Sequence, residues 1–423
     1  MGRIAVIGGG AAGMMAALSA ARKGVSVTIF ERNDRIGKKI LATGNGRCNF
    51  SNRDFSVAYY YGNREKLKGC FSRFSMEDTV HLFEAAGMLV KDRQGYLYPW
   101  SDQASTLLDI FRLELARHKV EICLDSKVEK IIRDKKTGKF RLEPCISIRE
   151  YEAVILACGG CAAPKTGSDG SGFLLARDLG HRMVSPVPAL VQLRCSDSFF
   201  KAIAGVRCEA GLTLCQESGK ESMVLQEEWG ELQLTDYGIS GIPVFQMSRT
   251  AARALEQKKR VVVYIDFLPQ MEEQDFQLYC VKKLQSFSPT LTMTIEEFLT
   301  GIGNKKLNHL FIKLANLSPG QPVFQIKKKE LKRLLYSYKK LKVHVAAANS
   351  FENAQVTAGG VDLEEVDENL ESVKLPGLYF AGEMLDVDGR CGGYNLQWAW
   401  TSGWIAGEEA AGKAIRSGIA AFP

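Results

Sequence analysis

The segment RIAVIGGGAAGMMAALSAARKGVSVTIFER, residues 3–32, constrains the fold more than any other part of the chain. The apolar, β-branched run from Arg3 to Ile7 suits a buried parallel strand, and the small and apolar residues from Met14 to Ala21 suit a helix packed on it. Between them Gly8, Gly10 and Gly13 carry the G-x-G-x-x-G spacing. The first glycine permits a sharp turn, the second lets a pyrophosphate approach the backbone, and the third lets helix and strand pack closely. Backbone N–H groups at Ala11 and Ala12 and the positive end of the helix dipole then face the anion. Val25 to Phe30 supplies a second strand. Glu31, followed by Arg32, ends it where an acid accepts hydrogen bonds from a ribose and disfavours a 2′-phosphate. A Rossmann-like dinucleotide site in an α/β fold is predicted.

A chain of 423 residues with 46% apolar content exceeds one compact core and predicts two or three domains. No apolar run approaches the roughly 20 residues of a membrane span, and the glycines that break the apolar N-terminus read as folded structure rather than a signal peptide. Eleven singly scattered cysteines predict reduced thiols and a cytoplasmic setting. The net charge of +7 is uneven, because residues 301–343 hold eleven Lys or Arg against the single acid Glu330. An anionic substrate is one reading of this run. Aromatics are not interleaved with it as stacking platforms, so it reads as a solvated helical face, and no nucleic-acid partner is expected.

A second glycine cluster lies near the other end, in PGLYFAGEMLDVDGRCGGYNLQWAW, residues 376–400. Leu378 to Ala381 reads as a buried strand, with Gly382 and Glu383 at its end. Gly392 and Gly393 precede a helix whose small or apolar face is Leu396, Trp400, Gly403, Gly407 and Ala411. A helix start there would stabilise the negative charge of a reduced isoalloxazine, and Glu383 would accept from ribityl or ribose hydroxyls. Only one complete dinucleotide fingerprint is present, since GSDGSG at 167–172 and GIG at 301–303 lack the preceding strand or the spacing. FAD is therefore the expected cofactor.

The chain resembles the BaiN-like family of bacterial FAD-dependent oxidoreductases, which overlaps the aminoacetone-oxidase-like flavoproteins. The matching stretches are VIGGGAAG, IGKKILATGNGRCNFSN at 36–52, AQVTAGGVDL at 354–363 and GLYFAGEMLDVDGRCGGYNLQWAW at 377–400. The resemblance implies a glutathione-reductase-type FAD domain built from residues 1–190 and 345–423. It places the pyrophosphate at Gly8 to Gly13 and the ribose at Glu31. Lys39, Gly44, Asn45, Gly46 and Arg47 would line the flavin side, and Val128 would present its backbone to adenine. Ala157 and Gly159 would form a turn beside FAD. Gly382, Glu383, Asp388 and the run Gly393, Tyr394, Asn395 and Leu396 would hold ribityl and ring.

Related disulfide reductases carry a cysteine pair near the flavin, whereas this chain has only Cys48 there, which argues against thiol-disulfide exchange. The C-x-x-C of Cys158 and Cys161 reads as a turn rather than a redox pair, and without a second pair no metal site is expected. From about Val191 the alternating segments ALVQLRC, GLTLCQ and SMVLQEEWGELQLTDYG predict an inserted β-barrel-like subdomain over 191–250, with a return strand near 340–350. Residues 251–338 read as a helical subdomain. In LTDYGISGIP, Asp236 stands where the family often has a histidine.

The expected chemistry is hydride transfer through flavin N5. The resemblance suggests, first, reduction of a carbon–carbon double bond in a steroid-like or other enone small molecule, with NADH or NADPH as transient donor. Oxidation of a small amine with peroxide release and a non-catalytic flavin sensor are the alternatives. Tyr394, Asp236 and Tyr237 are the candidate proton donors and acceptors.

Overall fold

The computed structural model describes residues 2–144, 149–219, 221–285 and 293–419. The chain divides into two compact units, Met1–Val187 with Ala354–Pro423, and Pro188–Asn353. The nucleotide fold therefore draws on both ends of the chain.

In the first unit β1 (Arg3–Ile7) leads through the glycine turn into α1 (Ala11–Arg22) and β2 (Ser26–Phe30). A short helix, α2 (Lys38–Ala42), precedes a small antiparallel sheet of β3 (Ser51–Asn52), β4 (Val90–Arg93) and β5 (Tyr96–Pro99). Then come β6 (Glu121–Cys123), β7 (Ala153–Leu156), β8 (Leu378–Phe380) and the C-terminal helix α3 (Tyr394–Ile419). The main sheet has the order β8-β7-β1-β2-β6, every pairing parallel. Helices must cover both faces of such a sheet, which is why β7 is apolar and buried throughout.

α1 and α3 approach each other so closely that glycine is obligatory. A Cβ on Gly403 would stand 2.4 Å from the carbonyl oxygen of Ala12, and one on Gly407 2.2 Å from that of Ala16. The Ser19 hydroxyl donates to the carbonyl of Trp404 across the same seam at 2.9 Å. The small-residue face expected on α3 is thus what joins the two ends of the chain.

In the second unit six strands close a barrel in the order Leu193–Cys195, Gly238–Ser240, Glu221–Leu234, Arg207–Ser218, Arg260–Asp266 and Leu341–Ala348. Alternate residues such as Leu212, Leu214, Leu232 and Leu234 are fully or almost fully buried, as period-two patterning requires. The expected break at 250 is displaced. Ile242–Glu256 is a helix, and Arg260–Asp266 belongs to the barrel, pairing with both Arg207–Ser218 and Leu341–Ala348. The run RVVVYID is β-branched and fully legible as a strand. Further helices of this unit, from Glu273–Gln285 to Lys328–Tyr336, follow that strand, and residues 286–292 of the expected helical stretch fall outside the described residues.

Candidate cofactor and active site

α1 begins at Ala11 with no side-chain cap on its first turn, because its N-cap residue is Gly10. Its first N–H groups have no partner within the helix. A Cβ on Gly10 would meet nothing within 4 Å, whereas one on Gly13 would stand 1.9 Å from the Gly8 carbonyl oxygen. One glycine therefore opens onto space and the other allows the helix to sit on the turn. The space is a cleft of about 1160 Å³, counting its open mouth.

Gly8, Gly10, Ala11 and Ala12 form one wall of the cleft, and Glu31, Arg32 and Val128 one end of it. Glu31 is 7% exposed. One carboxylate oxygen accepts from the Gly9 N–H at 2.8 Å and the other from the Asn33 N–H at 2.8 Å. The acid is thereby fixed beside the glycine turn. Arg32 is held by Asp169. Burial alone would raise the Asp169 carboxyl, but hydrogen bonds from Arg32 and Ser171 outweigh it and hold the group at about 2.

Lys39, Ala157, Gly159, Gly382, Glu383, Asn395 and Leu396 line the same cleft, Ala157 against the glycine turn, since a Cβ on Gly8 would stand 2.5 Å from its carbonyl oxygen. Lys39 Nζ sits 2.6 Å from one oxygen of Glu383, and the Thr357 N–H donates to the other at 2.9 Å. Gly382 adopts φ +66°, and its N–H donates to Ser402 Oγ on α3 at 2.9 Å. Thr166, Gly167, Ser168 and Ser171 also line the cleft. GSDGSG, without the spacing of a dinucleotide fingerprint, carries the signal of a turn that follows a buried strand.

Several expected contacts lie elsewhere. Gly44, Asn45, Gly46 and Arg47 form an exposed turn after Thr43, which does line the cleft. Asp388 is buried in a short bridge with Tyr61. Gly393 faces Asn49 and the start of β3 rather than the cleft, since its Cβ would stand 2.5 Å from the Ser51 carbonyl oxygen. Tyr394 is 6% exposed, packs edge-on against Tyr59 and Tyr60, and donates its hydroxyl to the Asp54 carbonyl at 2.8 Å. Burial raises the phenol. A buried hydroxyl committed to a carbonyl fits a packing role.

Asp236 and Tyr237 belong to the second unit, where Arg194 lies 5.1 Å from the Tyr237 ring. His344 is half exposed and places Nδ1 2.9 Å from Asp197. Burial pushes Cys48 up to about 11 and Cys158, whose thiol donates to the Ile7 carbonyl, up to about 12. Neither is a thiolate at neutral pH. Among the described residues no cysteine is in a disulfide, no cluster could hold a metal, and no helix is long and apolar enough to cross a membrane.

The glycine cradle, the buried ribose-side acid and the Lys39–Glu383 pair all fit FAD, and the protein is a Rossmann-type FAD-dependent oxidoreductase. Residues 2–409 match the family described as HI0933-like protein Rossmann domain. The chain belongs to that family. It is 43% identical over 421 residues to the 3-dehydro-bile acid delta(4,6)-reductase of Clostridium scindens, covering 97% of this chain and 99% of the relative. A ribosomal RNA dihydrouridine synthase of Haemophilus influenzae is 29% identical over 94% of this chain and 96% of its own length. Among solved structures, 3-ketosteroid-delta4-(5alpha)-dehydrogenase from Rhodococcus jostii is similar at a TM-score of 0.47 and 16% identity, with 97% of each chain covered.

Proposed function

We propose that this enzyme reduces a ring carbon–carbon double bond conjugated to a carbonyl, with NADH or NADPH as the electron source. The observation that carries the reading is the near full-length identity to the delta(4,6)-reductase. The more distant dihydrouridine synthase also makes a product with a saturated ring bond, so the bond type rather than the ring system is shared. The net reaction consumes the double bond, one NAD(P)H and one proton, and yields the saturated bond and NAD(P)⁺.

Bound FAD supplies two-electron hydride chemistry at its N5 atom. The chain supplies position and field. The first turn of α1 binds the pyrophosphate through backbone N–H groups and the helix dipole. Glu31 orients the adenosine ribose, and Glu383, paired with Lys39, accepts from hydroxyls at the other end. The apolar walls contributed by Ile7, Val356 and Leu396 exclude water, which strengthens each of these interactions. Asp236 and Tyr237 stand as the proposed proton-handling groups of the second unit.

The test is anaerobic stopped-flow mixing of the yellow holoprotein. Bleaching of the flavin band by NADH or NADPH, then recovery on adding an enone, is expected. Bleaching by small amines alone, with peroxide on re-aeration, would refute the reading in favour of an oxidase. No bleaching by either would leave a flavin-binding sensor.

A further inference from the structure

The chain holds one complete dinucleotide fingerprint, and the FAD cleft uses it. A reductase that draws on NADH or NADPH therefore needs a surface of another construction for its second dinucleotide. That ligand presents two flat rings joined by a doubly negative pyrophosphate. It calls for an exposed ring platform, an excess of cations and a path to the cleft.

The small sheet of β3, β4 and β5 supplies all three. Leu97 and Pro99 of β5 are buried, so Tyr96, Tyr98 and Trp100 project from the opposite side. Trp100 is 60% exposed and Tyr96 38%. The ladder continues past the strand end, since the Trp100 N–H donates to the carbonyl of Leu89, itself exposed, at 2.8 Å. Antiparallel β4 sets Lys91 opposite Tyr98 and Arg93 opposite Tyr96, on the ring side of the sheet. Asp92 stands opposite Leu97 on the other side, and its ion pair with Arg53 takes no part here.

Lys91 Nζ lies 5.4 Å from the Trp100 ring centre, and the Arg93 guanidinium 5.5 Å from that of Tyr98. The two cations share one carboxylate, Asp102, at 2.6 and 2.7 Å. Exposed Arg47 is near enough to act on both Tyr98 and Asp102. Lys91, Arg93 and Arg47 against Asp102 leave an excess of two positive charges, which matches a pyrophosphate.

The row of rings also leads to the cleft. A Cβ on Gly44 would stand 3.7 Å from the Tyr98 ring, and Gly44 follows Thr43, which lines the cleft. One on Gly392 would stand 2.7 Å from the Tyr96 ring, and Gly392 shortly precedes Asn395, which lines it too. Tyr96 and Tyr98 thus border both cleft segments. Trp100 stands outermost, about 14 Å along the strand from Tyr96.

We propose that this face docks the electron donor, NADH or NADPH, with its adenine stacked on Trp100, its pyrophosphate on Arg47 and Arg93, and its nicotinamide end directed past Tyr96 to the cleft. An adenine gains from stacking on an exposed indole, and a guanidinium meets two phosphate oxygens at once. The inference rests on the reductase reading and deepens it by giving the donor a place.

The test is isothermal titration calorimetry of the holoprotein with the tetrahydronicotinamide analogues of NADH and NADPH, which keep both rings and the pyrophosphate but give up no hydride. The tighter of the two identifies the donor. Trp100→Ala should weaken that analogue by about 5- to 100-fold. Arg47→Gln should weaken it by about tenfold. Both side chains are exposed, so both variants should keep the fold and the wild-type flavin content, read as the 450 nm to 280 nm absorbance ratio. No binding of either analogue by the wild type, or wild-type affinity in either variant, would overturn the proposal. Anaerobic bleaching of the unaltered protein by NADH or NADPH reports separately: bleaching with unchanged affinity in the variants sinks the docking face alone, and binding without bleaching removes the reductase reading on which it rests.

Discussion

Gly10 and Gly13 belong to one motif and carry different loads in the structure. A valine at position 10 has open space, and the local φ of −80° and ψ of −169° are extended angles that β-branched residues adopt readily. Its cost to the unliganded fold is that of a poorer N-cap, about 1 kcal/mol or less. In the presence of FAD the isopropyl group fills the place where the pyrophosphate meets the helix. Losing two charge-assisted hydrogen bonds at about 1.5–3 kcal/mol each lowers flavin affinity by roughly two to four orders of magnitude. Gly13→Ala acts in the opposite way. Its Cβ would sit 1.9 Å from the Gly8 oxygen where ordinary contact begins near 3.4 Å. Overpacking of about 3 kcal/mol, less about 1 kcal/mol of improved helix propensity, leaves about 2 kcal/mol of destabilisation. For a unit of this size that is roughly 4–8 °C in Tm. The assay pairs the 450 nm to 280 nm absorbance ratio of the purified proteins with thermal melts of their flavin-stripped forms. Gly10→Val should be colourless with a near wild-type apoprotein melt, and Gly13→Ala should melt early even when stripped. Full flavin content in Gly10→Val, or coincident apoprotein melts for Gly13→Ala and wild type, would refute the division of labour between the two glycines.

Glu31→Arg should also purify colourless, because the buried carboxylate that holds Gly9 and Asn33 is replaced by a cation that cannot accept from a ribose; stoichiometric flavin in this variant would remove the ribose assignment. The double variant Cys158→Ser, Cys161→Ser should keep turnover within about twofold, since burial holds the Cys158 thiol at about 12, and loss of turnover with intact flavin would revive a redox role. Tyr394→Phe should lower stability by about 1 kcal/mol through the orphaned Asp54 carbonyl while turnover holds, and a collapse of turnover at full flavin content would restore the tyrosine as an acid. His181 is buried between the Ala176 carbonyl and Ser372, and burial lowers its pKa from the ordinary 6.5. The neutral ring's contribution is complete above pH 6.5 and is lost as pH falls below that value, so a melt series from pH 7.5 to about 5 should flatten in His181→Gln. An unchanged slope would assign the acid sensitivity to other groups.

What could be read without coordinates was whatever a local spacing encodes. The turn at Gly8 to Gly13, the acid at Glu31 and the glycine-bearing face of α3 follow from backbone sterics, and each sits where that argument puts it. Readings that depended on what a side chain meets across the fold were less secure. Gly393 and Tyr394 were tied to the ring by resemblance, but Ser51 and Asp54, more than 300 residues away in sequence, occupy the places beside them. The barrel strand Arg260–Asp266 was absorbed into a helical segment, although its β-branched run carried the signal.

The joining of the two chain ends gives the cofactor a role in stability as well as chemistry. Ala12 lines the cleft, its carbonyl receives Gly403 of α3, and its Cβ lies where a side chain on Gly382 would collide. The N-terminal turn, the end of β8 and the C-terminal helix therefore move as one packed set. A ligand that touches both the Gly10 and the Gly382 ends of the cleft binds only when α1 and α3 are docked, so its binding free energy adds to that of the docked state. At a flavin concentration a hundredfold above its dissociation constant the gain is about 2.7 kcal/mol. Fraying of α3 and loss of flavin are then the same event seen from two sides. The seam glycines Gly403 and Gly407, remote from any hydride, govern cofactor retention as directly as Gly10 does.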